Sequence, residues 1–137
     1  MFALVAVFAF ASGTVFAQSP QVTLPSAGLT PESPFYFFDR LGENLRQFFT
    51  FNPEAKAKLQ IEFAGERITE IKVMIEKKGV NVKGLAIAES LLQANVAYAA
   101  EIVSEEKTAG KDVAVLAKML NDEFDARDKL LEQTFKD

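Results

Sequence analysis

Apolar side chains recur at a spacing of three and four residues in four successive stretches of the chain. This spacing places the apolar positions on one face of an α-helix. It predicts helices over residues 34–50, 53–78, about 83–107 and about 111–135. No stretch alternates apolar and polar residues in the manner of a strand, so we expect no β-sheet.

Two of the predicted helices have clear boundary residues. Ser33 followed by Pro34 is typical of a helix start, because Ser accepts from free N–H groups and Pro fits the first turn. Asn52 and Pro53 repeat that pattern before the second helix. Gly79 is predicted to end the second helix, since glycine readily takes the conformation that follows a last helical turn.

The order and length of the helices predict the architecture. Three long helices joined by short turns run in alternating directions, and a shorter helix can cover one side of them. We therefore expect an all-α fold, an antiparallel bundle of three long helices plus a shorter N-terminal aromatic helix, over residues 34–137. The third helix is apolar over much of its circumference, which predicts a central or interfacial position. Residues 18–33 are Pro-rich and without apolar period, which is typical of a linker.

Aromatic residues are concentrated in the first helix. Seven of the eleven Phe and Tyr residues after position 17 lie within residues 35–51. We expect the stripe formed by Phe38, Leu41 and Leu45 to pack into the core. One helix face cannot bury all the aromatic side chains, so part of the cluster is left for another role.

That remainder is a candidate docking surface. Core packing, docking of a partner protein and contact with a membrane surface are the three interpretations of the cluster. Membrane contact fits least well, because the arginines of this helix are balanced by carboxylates, whereas interfacial helices are rich in Lys and Arg. The candidate partner-docking residues are Phe35, Tyr36, Phe37 and Phe38.

The first 17 residues are uncharged and apolar and end in small residues, with Val15 and Ala17 at the positions that a signal peptidase reads. We interpret residues 1–17 as a secretory signal peptide cleaved after Ala17. The protein is therefore expected outside the cytoplasm, either secreted or in the periplasm or on the cell surface. The alternative is an uncleaved N-terminal anchor, which would then be the chain's contact with a membrane.

Composition and charge exclude several classes of function. The chain has no Cys and no His, which removes disulfides, thiolate metal sites and imidazole acid–base chemistry. The formal net charge is −4, and the basic residues are spread among acidic neighbours, whereas a nucleic-acid binder needs a basic face. We expect no enzyme, no cofactor and no nucleic-acid partner.

Carboxylates form a row on the second helix. Glu62, Glu66 and Glu70 are four residues apart and share one face. Their oxygens make a candidate site for Ca²⁺ or Mg²⁺, which prefer oxygen ligands. The alternative is a solvated surface neutralised by neighbouring Lys and Arg residues. A second acidic row lies on the fourth helix at Asp122, Asp125, Asp128 and Glu132.

Arg67 lies beside the first carboxylate row. Its planar guanidinium can form a fork-shaped pair with Glu66 and Glu70, and a buried pair of this kind would fix helix register. Arg40 of the first helix can join the same group, because a tight turn connects the two helices. We expect Arg67, Glu66 and Glu70 to form a structural ion pair, either buried or on the surface.

Two motifs stand out at the first two predicted helices: a Pro-x-Ser-Pro-Phe-Tyr start followed by Arg40, and a downstream Ala-x-Leu-x-x-Glu-x-Ala-x-Glu-Arg-Ile-x-Glu helix. In these motifs the chain resembles a family of uncharacterised extracytoplasmic helical domains of bacteria and archaea. About 50 residues carry the resemblance, and Gly65 departs from it inside a helix. The resemblance implies export and a helical fold, with some members in settings similar to those of anti-sigma factors, and it implies no activity. The matching positions are Pro31, Ser33, Pro34, Phe35, Tyr36, Arg40, Ala57, Leu59, Glu62, Ala64, Glu66, Arg67, Ile68 and Glu70.

The function favoured by these patterns is that of an exported, non-catalytic helical interaction domain of the cell envelope. Its expected partner is another envelope protein or a second copy of itself. Two alternatives stay open. One is a divalent-cation-binding envelope protein that uses the carboxylate rows, and the other is a periplasmic holdase chaperone.

Overall fold

The computed structural model describes residues 24–79 and 82–134. Within these ranges the chain forms four α-helices and no strand, so the all-α prediction is confirmed. The predicted signal peptide lies outside the described residues. The helices are α1 (Tyr36–Phe49), α2 (Pro53–Lys78), α3 (Lys83–Thr108) and α4 (Ala114–Thr134).

The ends of α2 agree with the boundary residues in the sequence. The side chain of Asn52 accepts a 2.9 Å hydrogen bond from the backbone N–H of Ala55, and Pro53 occupies the first turn. Gly79 has a φ of 80° and donates its N–H to the carbonyl of Ile75 at 2.8 Å. Both free ends of the helix are therefore satisfied by local groups.

Two helix starts differ from the prediction by a few residues. α1 begins at Tyr36 instead of residue 34, because Pro34 and Phe35 remain in a turn in which the Ser33 hydroxyl accepts the N–H of Phe35 at 3.3 Å. α4 begins at Ala114, whose N–H is bound by the Asp112 carboxylate at 3.0 Å.

The three long helices pack in layers that define their directions. As the residue number rises along α2, the number of the contacting residue rises on α4 and falls on α3. α3 is therefore antiparallel to both α2 and α4. This is the predicted antiparallel bundle. Successive layers are Ala57 with Ile102 and Leu116, then Ile61 with Ala99 and Leu120, then Ile68 with Leu92 and Leu130.

The central helix is α2 and not α3. α2 buries side chains over most of its circumference, including Phe63 and Ile68 at 1% exposure each, because α1, α3, α4 and the N-terminal segment all lie against it. α3 buries mainly one side, and Ile87 on its other side is 45% exposed. Small alanines on α3 account for its apolar character without requiring a central position.

Residues 24–33, which we name the strap, lie against α2 and do not form the free linker that composition predicted. The carbonyl of Pro25 accepts the Thr69 hydroxyl at 2.9 Å. Its ring lies over Gly65, where an added Cβ would approach the Pro25 Cδ to 2.8 Å. A helical glycine that looked anomalous in the sequence thus provides the room for the strap.

The other end of the strap is held at the start of α3. The Glu32 carboxylate accepts the backbone N–H of Gly84 at 2.6 Å and also binds Lys78 at 3.2 Å. These bonds lower the pKa of Glu32, the backbone bond having the larger effect. The strap therefore spans from the middle of α2 to its C-terminal end.

No helix in the described part of the chain is both long and apolar enough to cross a membrane.

Candidate functional site

The first helix packs on the bundle with its polar face inward. Glu43 is 5% exposed and is the buried residue of α1. Eight large apolar residues on and beside α1 point to solvent, each between 42% and 78% exposed. We name them the aromatic face: Phe35, Phe37, Phe38, Leu41, Leu45, Phe48, Phe49 and Phe51.

This orientation reverses the one expected from the sequence. The stripe of Phe38, Leu41 and Leu45 was expected in the core, and it is exposed. Apolar periodicity identifies the two faces of a helix. The apolar face is the buried one unless a neighbouring helix binds the polar face more strongly. Such a partner is present on α2.

That partner is Arg67, whose side chain is fully buried. Its Nη2 donates to Glu43 Oε1 at 2.5 Å and lies 2.9 Å from Glu70 Oε1, while its Nη1 donates to the Tyr36 hydroxyl at 2.8 Å. Tyr36 in turn donates to Glu70 Oε2 at 3.3 Å. Arg40 pairs with the second oxygen of Glu43. We name these five residues the Arg67 cluster.

The charges of the Arg67 cluster balance when both carboxylates are ionised, since two guanidinium groups face two carboxylates. Burial raises the pKa of Glu70 to about 8, and Arg67 opposes this rise without cancelling it. Burial also raises the pKa of the Tyr36 hydroxyl. The pKa of Arg67 is raised, because Glu70 and Glu43 together outweigh the lowering effect of burial.

A second contact fixes the other half of α1. Arg46 binds Glu62 of α2 at 2.8 Å, and its guanidinium carbon lies 5.4 Å from the centre of the Phe63 ring. The bond with Glu62 raises the pKa of Arg46. With the Arg67 cluster toward one end and Arg46 toward the other, α1 cannot rotate without breaking buried or half-buried polar contacts.

The candidate cation site is not assembled. Glu62 is paired with Arg46, Glu70 is buried in the Arg67 cluster, and Glu66 lies 3.5 Å from Arg67. Burial, followed by the nearby Glu43 charge, raises the pKa of Glu66. Among the described residues no group of three or more acidic side chains is placed to hold a metal ion.

Arg67 lies within ion-pair distance of both predicted partners, Glu70 and Glu66. It lies closer still to Glu43, a partner that the sequence did not predict. Three of the four docking residues, at positions 35, 37 and 38, are exposed. Tyr36 is partly buried, and its hydroxyl is bound to Arg67 and Glu70.

A signal for Glu43 was present in the sequence. Tyr36, Arg40, Glu43 and Gln47 follow each other at intervals of four, three and four residues, which is a helical face in its own right. Only a buried counter-charge on another helix turns such a face inward. Phe38, Leu41 and Leu45 of the aromatic face form the stripe that the apolar spacing predicts in the core.

Two features lie away from α1. A groove of about 100 Å³ is lined by residues of α2, α3 and α4, among them Ile68, Leu92 and Leu130. Glu123 of α4 is 8% exposed, its Oε1 is 3.2 Å from where a Gly65 Cβ would lie, and its Oε2 has no hydrogen-bond partner. Burial, with a smaller effect of Asp122, raises the pKa of Glu123 to about 7.

The chain matches a known protein family over most of its described length. The model of a family described as a domain of unknown function, DUF5667, matches residues 28–132. The match spans most of the strap and all of α1, α2 and α3, and it ends within α4. No curated protein and no solved structure matches the chain.

Proposed function

The chain belongs to the DUF5667 family, a domain of unknown function, and we propose that it is a non-catalytic interaction domain that works outside the cytoplasm and binds a protein through its aromatic face. The observation that carries the proposal is the orientation of α1. A buried polar cluster holds the helix so that its apolar side faces solvent.

The area exposed by this face supports a binding role. A phenylalanine buries about 150–250 Å² when covered, so six of them at about two-thirds exposure present roughly 800 Å² of apolar surface. The largest apolar patch on a typical monomeric protein is about 300–600 Å². Leu41 and Leu45 add to the patch between the two aromatic groups.

The Arg67 cluster is a costly way to attach a helix, which also supports the proposal. Burying charged side chains such as those of Arg67 and Glu43 costs on the order of several kcal/mol per ion before their mutual attraction is counted. An amphipathic helix would bury more apolar area in the opposite orientation. A cluster that fixes the orientation of α1 at the expense of apolar burial is expected where the exposed apolar face binds another molecule.

A protein partner suits the face better than a lipid surface. Helices that lie in a membrane interface carry Lys and Arg residues free to meet lipid headgroups. Both arginines of α1 are already engaged, Arg40 with Glu43 and Arg46 with Glu62. The net charge of −4 further disfavours an anionic bilayer.

Location and the absence of catalysis rest on the sequence. The apolar segment 1–17 with its small residues supports export. The lack of Cys and His leaves few groups for nucleophilic or acid–base chemistry.

The test is site-specific photocrosslinking in intact cells that produce the full chain. A photoreactive phenylalanine analogue replaces Phe38 or Phe48 on the aromatic face, and Lys72, exposed on α2, serves as the control position. We expect a discrete crosslinked product from both aromatic positions and none from Lys72. A broad ladder of products would instead support a holdase, and no product from either aromatic position would refute the proposal.

A further inference from the structure

The sequence of α1 and its flanks is partly palindromic around Glu43, since five of the eight residue pairs from 35/51 to 42/44 are identical. Residues at equal distances on either side of this centre are identical for every member of the aromatic face and also for the two arginines. The matching pairs are Phe35 with Phe51, Phe37 with Phe49, Phe38 with Phe48, Arg40 with Arg46 and Leu41 with Leu45.

From this symmetry we propose that the aromatic face binds a second copy of this chain. Two α1 helices pack antiparallel, related by a two-fold axis that passes at the level of Glu43. This inference rests on the proposed function, since it names the protein that the aromatic face binds.

An interface between identical copies must be complementary to itself. In a two-fold pair, residue i of one copy meets residue j of the other, and j meets i. An antiparallel pair centred on Glu43 places Phe38 against Phe48 of the second copy at both ends of the contact. Leu41 meets Leu45 of the second copy at the middle, so each apolar residue meets one of the same type.

The exposed area matches what such a pair requires. Each partner in a stable protein interface of standard size buries about 800 Å². The six phenylalanines of the aromatic face alone expose roughly this area, by the estimate of about 150–250 Å² per buried ring. Edge-to-face ring pairs at both ends, Phe37 with Phe38 and Phe48 with Phe49, already give the face a defined shape.

Charge does not oppose the pairing. The ionised residues of α1 are Asp39, Arg40, Glu43 and Arg46, whose formal charges sum to zero. Glu43 is buried against α2 on the side away from the second copy. The overall charge of −4 is therefore carried elsewhere and is not concentrated at the contact.

Gly42 fits the same arrangement. It lies in the interior of α1, where glycine disfavours helix formation, and a Cβ added there would meet nothing within 4 Å. Nothing in the single chain requires a glycine at this position. It lies at the edge of the aromatic face, so the backbone of α1 is left uncovered beside the proposed contact.

The first test is the association state of the purified full chain, measured by sedimentation equilibrium over a range of concentrations. We expect a dimer, and we expect Leu41→Glu with Leu45→Glu to weaken it by roughly a hundredfold or more, because carboxylates without partners would be buried. Ile87→Glu places the same charge on the exposed side of α3 and serves as the matched control. Unchanged circular dichroism of the double variant shows that the helices still form.

The second test reads the direction of the pair. The chain has no cysteine, so single substitutions report cleanly. Disulfides need Cα atoms within about 7 Å. We expect a mixture of Phe38→Cys and Phe48→Cys chains to form a mixed disulfide. Phe38→Cys chains alone are expected to stay unlinked, because position 38 of one copy faces position 48 of the other. The two substituted positions are then ten helical residues, about 15 Å, apart.

The outcomes separate this inference from the proposed function. A chain that stays monomeric at high concentration, or an equal dimer from the double variant, overturns the self-pairing. A disulfide from Phe38→Cys alone overturns the antiparallel geometry. If the chain is monomeric while photocrosslinking in cells yields a discrete product with another protein, the proposed function stands and only the self-pairing fails. Absence of any photocrosslinked product would overturn both the proposed function and the self-pairing.

Discussion

Glu43 of α1 accepts a 2.5 Å hydrogen bond from Arg67 of α2, and this bond determines which side of α1 faces solvent. Both side chains are almost completely shielded from water. The strength of such a buried pair depends on each charge keeping its counter-charge. The orientation of the aromatic face can therefore be tested at residues that lie outside it.

Glu43→Gln removes one of the two carboxylates that neutralise Arg67. We expect the free energy of unfolding to fall by about 2 kcal/mol, less than for a lone buried pair because Glu70 remains in contact with Arg67. Urea denaturation measures the loss. Glu76→Gln, at an exposed carboxylate that lies 3.9 Å from Lys72, is the control and is expected to change stability by less than about 0.5 kcal/mol. Equal effects of the two substitutions would contradict the role given to Glu43.

Arg67→Lys keeps the positive charge but loses the planar fork. We expect a destabilisation of about 3 kcal/mol, since an ammonium group cannot bind Glu43, Glu70 and Tyr36 together. The measurement is again urea denaturation, with Lys72→Arg as the reverse exchange at an exposed site. Wild-type stability in Arg67→Lys would show that charge alone holds α1.

Tyr36 and Phe37 are neighbours with opposite assignments. Tyr36→Phe removes a hydroxyl that binds Arg67 and Glu70, and we expect it to lower the free energy of unfolding by about 1 kcal/mol while leaving the aromatic face intact. Phe37→Ser is expected to leave the stability of the single chain nearly unchanged and to weaken dimerisation. Thermal unfolding and sedimentation, run on both variants, give the two readouts, and an exchange of these effects would reverse the assignment.

Gly65→Ala is expected to destabilise the domain by about 1–2 kcal/mol, although alanine normally favours a helix over glycine. The reason is the Cβ, which would lie 2.8 Å from the Pro25 ring and displace the strap. Gly42→Ala is the matched control, because its Cβ would meet nothing within 4 Å and is expected to stabilise α1. Both are compared by urea denaturation at a dilution where the chain is monomeric. A stabilised Gly65→Ala would mean that the strap does not pack on α2.

Stability is expected to decrease as the pH rises from about 4.5 to about 7, the window set by the raised pKa of Glu123. A carboxyl whose pKa is higher in the folded state favours folding while protonated, and that contribution is complete below the unfolded pKa and disappears above the folded one. Melting temperatures between pH 4.5 and 8.5 measure the slope. Glu123→Gln is expected to reduce this slope, and Asp122→Asn is expected to reduce it less, because Asp122 makes the smaller contribution to the raised pKa of Glu123. An unchanged slope in Glu123→Gln would exclude Glu123 as the cause.

The bounds of α2 follow from the sequence because their determinants are local. Asn52 caps the free N–H of Ala55, and Gly79 adopts the positive φ that a helix end requires, so neighbouring residues contain the information. The order of the helices along the chain and the shortness of the turns between them likewise determine the antiparallel bundle. These features need no knowledge of distant contacts.

The orientation of α1 and the packing of the strap were beyond sequence reasoning because both depend on pairs far apart in the chain. Glu43 faces inward only because Arg67, 24 residues later, supplies a buried counter-charge. Pro25 packs on α2 only because position 65 is a glycine. Composition alone makes the strap resemble a linker and makes the apolar side of α1 resemble a core face.

The strap has a mechanical consequence. The described part of the strap begins beside Gly65, near the middle of α2, and not at an end of the bundle. Tension applied at Pro25 would therefore act across α2 and would break the contacts of the strap one at a time. The bond between Pro25 and Thr69 would break first, then the bonds of Glu32 with Gly84 and Lys78, and only then would the load reach α1 and Arg67. The contacts among the three long helices would persist while the bonds of the strap break. A force applied at the strap would therefore be taken up by these bonds before it reaches the core.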